Sequence, residues 1–242
     1  GDVYKRQAQS ALTTRALAVY GVELSPVSAS QSGRPGELVT YTLRVTNTSN
    51  AQDTFTVTVS GNTWTTDAPG TVGPLGAGES AEFQVVVTVP ADALAGDSDT
   101  VMVTVTSQGD ATRSARSSLT TSALAVYGLE LSPALAFQSG RPGEVVTYTL
   151  RVTNTGNVTD TITVTRTNSG WPTAFSWTSQ AIAAGGWQEL KVYVTVPADV
   201  AIGAEDKAVI RASGSGGDTE VTLTTRTPVY RVYLPLTVRN GP

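Results

Sequence analysis

Asp92, Asp97 and Asp99 crowd three carboxylates into eight residues, and oxygen-rich loops of this kind suit a hard cation such as calcium. The corresponding stretch 107 residues later holds Asp199, Glu205 and Asp206, but Asp97 there becomes Ala204. A ligand set that is not repeated with its surroundings favours an ordinary polar hairpin over a metal site. Trp177 and Trp187, with Phe175 nearby and Phe137 likewise without a counterpart 107 residues earlier, are the second candidate: indole faces in a row could stack on sugar rings. Acid–base or nucleophilic chemistry has little to work with. The chain contains no histidine and no cysteine, so Ser-His-Asp, Cys-His and the usual zinc sites are excluded. Paired carboxylates for glycoside chemistry reduce to Glu23 with Glu130 or Glu37 with Glu144, one of each pair per repeat, and these read as solvated surface acids. Gly33-x-x-Gly36 and Gly214-Ser215-Gly216-Gly217 lack a following helix and read as turns rather than phosphate loops.

These residues sit on a scaffold written twice. Residues 12–107 return as 119–214 at a constant offset: Ala16-Leu17-Ala18-Val19-Tyr20-Gly21 recurs as Ala123-Leu124-Ala125-Val126-Tyr127-Gly128. Gly33-Arg34-Pro35-Gly36-Glu37 recurs likewise at Gly140-Arg141-Pro142-Gly143-Glu144. With no slip in register, neither copy is expected to carry a net insertion. A period of 107 is the size of a domain, not of a solenoid repeat. The 242 residues therefore divide into a lead-in over 1–11, a first sandwich over 12–121, a second over 122–227 and a tail strand over 228–242. Within the lead-in, Asp2-Val3-Tyr4-Lys5-Arg6-Gln7 resembles a translated adapter sequence from DNA library preparation, has no counterpart in the repeat, and is expected to be foreign to the fold. The true N-terminus would then be missing.

The hydrophobic period is two. Val39, Tyr41, Leu43 and Val45 alternate with Thr40, Thr42, Arg44 and Thr46, and Val146, Tyr148, Leu150 and Val152 repeat the pattern. Half-buried antiparallel strands produce this alternation. Further alternating runs follow at Phe55–Val59, Phe83–Val89, Val101–Val105 and Ala111–Thr121, with a lead-in strand near Ala16–Leu24 and a short one near Trp64. About seven strands per copy predict two tandem immunoglobulin-like antiparallel β-sandwiches, an all-β chain. The expected core is Tyr41, Leu43, Val45 and Trp64 in the first, and Tyr148, Leu150, Val152 and Trp171 in the second, with each repeated indole closing one end of its sandwich. Arg34-Pro35-Gly36-Glu37 fits a type II turn, and Ala91–Ala95 could form a single helical turn. Ser118–Leu124 joins the copies without glycine or proline, which predicts a near-continuous strand and a stiff rod on the order of 80 Å long.

Charge narrows the partners. A formal net charge of −4 with scattered arginines argues against nucleic acid. No run approaches the ~20 apolar residues of a membrane helix. Asn47-Thr48-Ser49 and Asn157-Val158-Thr159 match the glycosylation pattern but read as turn asparagines. Lys191 and Lys207 are the only lysines beyond the lead-in, so a lysine–asparagine cross-link is not open to the first copy.

The run from Pro35 to Thr48, with Asp53-Thr54-Phe55 and Trp64 behind it, resembles the α-galactosidase-associated Ig-like domain family, close to the cell-adhesion-related domain of bacteria. The second copy carries the pattern through Asp160-Thr161-Ile162 and Trp171. That resemblance implies a non-catalytic, cofactor-free module of a secreted or cell-surface protein, placed beside a glycosidase, peptidase or adhesin. The tail Tyr230–Asn240, centred on Tyr233, Leu234, Pro235 and Leu236, is similar to a short ending that closes many exported multidomain proteins of environmental bacteria. It implies a sorting or anchoring segment; the plainer reading is a last strand covering a sheet edge. The expected partners are upstream domains of the same polypeptide, cell-envelope or secretion components, and polysaccharide. The expected function is a C-terminal stalk that displays an upstream domain, the alternative being a carbohydrate-binding accessory module of a secreted hydrolase.

Overall fold

A computed structural model describes residues 9–229 apart from 169. The tail residues Tyr233, Leu234, Pro235 and Leu236 and the adapter-like stretch lie outside the described residues. There is no helix among the described residues; the chain is all-β and forms immunoglobulin-like sandwiches. The described residues fall into two compact units, 9–91 with 98–122, and 92–97 with 123–229.

In unit 1 the strands are β1 Val22–Ser25, β2 Ser28–Gly33, β3 Leu38–Asn47, β4 Asp53–Ser60, β5 Thr66–Asp67, β6 Thr71–Leu75, β7 Ser80–Thr88, β8 Ser98–Ser107 and β9 Ser114–Ala123. One sheet has the order β1-β3-β7-β5 and the other β2-β9-β8-β4-β6. Unit 2 repeats the plan with β10 Leu129–Ser132, β11 Leu135–Ser139, β12 Val145–Asn154, β13 Asp160–Arg166, β14 Thr173–Phe175, β15 Ser179–Ile182, β16 Trp187–Thr195, β17 Glu205–Gly214 and β18 Gly217–Arg226. Its sheets run β10-β12-β16-β14 and β11-β18-β17-β13-β15.

Nine strands per unit exceed the expected seven by two. Pro26 and Pro133 break the lead-in segment, so each yields two short edge strands, one in each sheet, and Thr71–Leu75 and its counterpart Ser179–Ile182 add an edge strand that alternation did not mark. Because the chain changes sheets without reversing, β11 pairs parallel with β18, an exception to the antiparallel expectation. The expected single helical turn at Ala91–Ala95 is absent; that stretch is a chain of turns. The join is also not one continuous strand: β9 stops at Ala123 and β10 begins at Leu129. The offset of 107 holds only as far as the last hairpin. Val101 pairs with Leu119 and Ala208 with Leu223, so the partners are 107 and 104 residues apart, and the second hairpin is three residues shorter.

Alternation does what it predicts. Val39, Tyr41, Leu43 and Val45 are buried, as are Val146, Tyr148, Leu150 and Val152; the other sheet of unit 1 buries Phe55, Val101, Val103 and Val105, and that of unit 2 Ile162, Ala208, Ile210 and Ala212. Burial of such rows, at roughly 25 cal/mol per Å² of apolar surface, is the main source of stability. The Arg34–Glu37 turn has Gly36 at φ +82° with Glu37 N–H donating to Arg34 O at 2.9 Å, the geometry of a type II turn. Trp64 and Trp171 depart from expectation: both are half-buried, not core. Trp171, Phe175 and Trp177 pack on the margin of the unit 2 core.

Candidate functional site

The residues whose types suggest chemistry are occupied by internal ties, in nearly the same way in both units. Asp99, 7% exposed, accepts from Thr63 N–H (3.0 Å), Thr63 Oγ1 (2.8 Å) and Trp64 N–H (3.1 Å). Its strand β8 thus clasps the loop that carries Trp64. Burial pushes the Asp99 carboxyl up, but the hydrogen bonds from Thr63, Trp64 and Thr100 outweigh it and hold the group below the ordinary aspartate value. Asp206 does the same for Trp171, whose N–H donates to Oδ1 at 3.2 Å. Unit 2 adds a part that unit 1 lacks. Arg166 donates to both Asp206 oxygens at 3.0 and 3.1 Å, to the Trp171 carbonyl oxygen and to Thr173 Oγ1. The ion pair is largely buried, with side-chain exposures of 11% and 7%.

Asp92, Asp97 and Asp99, the weak calcium candidates, are not brought together. Asp97 caps its own turn by accepting from Leu94 N–H at 2.8 Å, Asp99 serves the tryptophan loop, and Asp92 joins neither. Among the described residues, no three acidic groups converge as metal ligands. Asp199, Glu205 and Asp206 do not gather either. Glu37 and Glu144 cap turns, accepting from Arg34 N–H and Arg141 N–H at 2.7 Å, while Glu23 and Glu130 are exposed.

Further repeated polar residues fasten the scaffold. Asn47, fully buried, donates to Ala51 O and Leu75 O, each at 2.9 Å, and to Gly76 O at 3.1 Å, and accepts from Ser49 N–H. Asn154 copies it onto Val158 and Ile182. An asparagine with its amide committed in the interior is closed to glycan attachment. Asp53 accepts from Ser107 Oγ and Gly109 N–H; Asp160 accepts from Ser215 N–H and Oγ at 2.8 Å. A shallow polar depression of about 300 Å³ beside Asp53, lined also by Tyr20, Pro74 and Gln108, therefore contains an acid already saturated with donors.

The aromatic candidates differ in exposure and in the sheet that carries them. Trp177 is half-buried and its Nε1 donates to Glu189 O at 2.8 Å. Trp187 is 53% exposed on β16, with the Arg151 guanidinium 4.7 Å from its ring centroid. Phe137, 60% exposed, lies on β11 in the other sheet. Lys191 and Lys207 are surface residues beside Glu189 and Glu205. Sequence reading missed Arg166 and Asn50, and took Asn157 only for a turn asparagine without pairing it with Asn50. The asparagines recur at the repeat offset, a signal that was present; Arg166 replaces Val59 and carries no repeat signal.

A family model described as "IG-like fold at C-terminal of FixG, putative oxidoreductase" matches residues 40–121. No curated protein matches the chain. Among solved structures, a protein of unknown function from Porphyromonas gingivalis W83 is 16% identical over 85% of this chain and 99% of its own, with a TM-score of 0.35. Protocadherin gamma C5 domains EC1-3 are 13% identical over 87% and 70%, TM-score 0.45. The D0-D1 domain of Intimin is 13% identical over 88% and 100%, TM-score 0.26.

Proposed function

We propose that this chain is a non-catalytic spacer: two self-contained Ig-like units that hold another domain of a secreted or cell-surface bacterial protein at a distance, with the segment around Tyr233–Leu236 serving sorting or attachment. One observation carries the reading. The repeated polar residues Tyr41/Tyr148, Asn47/Asn154, Asp53/Asp160 and Asp99/Asp206 each close a contact inside their own unit, so duplication has copied fasteners and not a reactive constellation. Polar groups satisfied this fully rigidify a fold and leave no poised acid, base or nucleophile.

Pulling the chain from its two ends in an optical trap tests the mechanical role. Two unfolding steps are expected, each releasing on the order of 100 residues at about 3.5 Å, or roughly 350 Å. A single step spanning both units contradicts the spacer. Exposed Trp187 is what favours the carbohydrate-binding alternative, and a polysaccharide panel decides it: saturable binding lost in Trp187→Ala would replace the spacer reading. Deleting residues 228–242 from the exported protein tests the tail, and unchanged surface retention removes the sorting role.

A further inference from the structure

Unit 2 contains a seated loop whose seat exists again, empty, in unit 1. Asn157 Oδ1 accepts from Val126 N–H at 2.7 Å, and its Nδ2 donates to Leu124 O and to Ala93 O, both at 3.0 Å. The loop Asp92–Asp97 is completed by Ala95 N–H donating to Asn157 O and Gly96 N–H to Ala123 O, each at 3.0 Å. Asn50, the counterpart of Asn157, makes the same first two bonds: Oδ1 accepts from Val19 N–H at 2.8 Å and Nδ2 donates to Leu17 O at 2.9 Å. The bond to a loop carbonyl has no counterpart there among the described residues. Exposure follows the difference. Leu17 is 84% exposed against 44% for Leu124, and Ala16 is exposed where Ala123 is 5%. A second observation points to the occupant. Leu12-Thr13-Thr14 repeats Leu119-Thr120-Thr121, the end of closing strand β9, yet Leu12 is 91% exposed where Leu119 is fully buried.

We propose that the Leu17–Gly21 segment and Asn50 form a docking seat for the loop of a further Ig-like unit of this same kind. The occupant is the counterpart of Asp92–Asp97, carried by a unit whose closing strand ends in Leu12-Thr13-Thr14. Small residues matching Ala93 and Ala95 let the loop backbone approach the asparagine, whose side chain reads main-chain carbonyls and not side chains. The loop at the far end of unit 2 fits less well as the occupant, since Val200 stands where Ala93 does. The inference is independent of export and of the tail.

The test uses the absence of cysteine. Residues 15–121 are duplicated immediately ahead of Arg15, which restores the 107-residue register. Ala93→Cys is placed in the added copy and Asn50→Cys in the original, and disulfide formation is compared with Ala93→Cys/Asn157→Cys in the natural chain and Ala93→Cys/Thr40→Cys as a distant control. Cross-linking of the added pair within about twofold of the Asn157 pair is expected. Cross-linking no greater than the Thr40 control overturns the proposal, as does an Asn157 pair that fails to cross-link, because the template seat is then unoccupied in solution. A three-unit chain lacking a third unfolding transition also counts against it. Mixing Asn50→Cys and Val200→Cys chains checks the other occupant; preferential cross-linking between copies replaces the proposed unit with head-to-tail association.

Discussion

The Tyr41 hydroxyl donates to the Thr120 carbonyl oxygen at 2.7 Å and lies 2.9 Å from Thr121 Oγ1, so a residue of β3 in one sheet is tied to β9 in the other. Tyr148 makes the same tie to Thr224 and Thr225 at the same distances. Each ring fills the core while its one polar atom finds a partner at the far side. Tyr41→Phe keeps the ring and strands the acceptors, so it should lower stability by about 1–2 kcal/mol. Urea unfolding of the variant measures this.

Asp99 supplies a pH signature. Its folded pKa is depressed, so its contribution is present above the unfolded value of about 3.9 and is lost as pH falls through the folded value. The stability gap between wild type and Asp99→Asn should be widest near neutral pH and close below about pH 4. Melting curves from pH 7 to pH 2 check it; a gap that persists unchanged in acid contradicts the hydrogen-bonded carboxylate.

Arg166→Val installs in unit 2 the residue that unit 1 has at position 59. It leaves Asp206 buried and held by fewer donors. Removing one member of a buried pair costs about 3–5 kcal/mol, and the remaining Trp171 N–H bond puts the loss near about 3. Restoring neutrality with Asp206→Asn in the same chain should recover part of it, which a double-mutant cycle reads directly.

The tryptophans should separate by burial. Trp171→Ala, half-buried against the core, should cost roughly 2 kcal/mol, below the 3–5 of a fully buried indole. Trp187→Ala loses an exposed stack on Arg151 and should cost under about 1 kcal/mol. Thermal melts of the two variants rank them.

Strand faces, the Gly36 turn and the duplication were legible in the sequence because each rests on a local rule: period two, a positive φ, a repeated string. What was not legible depends on where the chain goes next. Pro26 and Pro133 switch the lead-in between sheets, giving a parallel edge pair that no alternation encodes. Asp92, Asp97 and Asp99 are neighbours in sequence, yet Asp99 turns to Thr63 and Trp64 while Asp97 caps its own turn. Trp64 and Trp171 recur for a loop clasp, and recurrence alone does not distinguish a core residue from one at its margin. Arg166 is unique to one copy, so comparing the copies gave it no weight.

Self-contained units, each held by its own ties, are the claim on which the account rests. Trp64 is the only tryptophan of unit 1, and Trp171, Trp177 and Trp187 all lie in unit 2. With 19F-labelled tryptophan, a urea titration of Tyr41→Phe followed by NMR reads the two units separately. The account predicts that the Trp64 resonance unfolds at lower urea while the other three move by less than half as much. Four resonances shifting together by the same amount would contradict it.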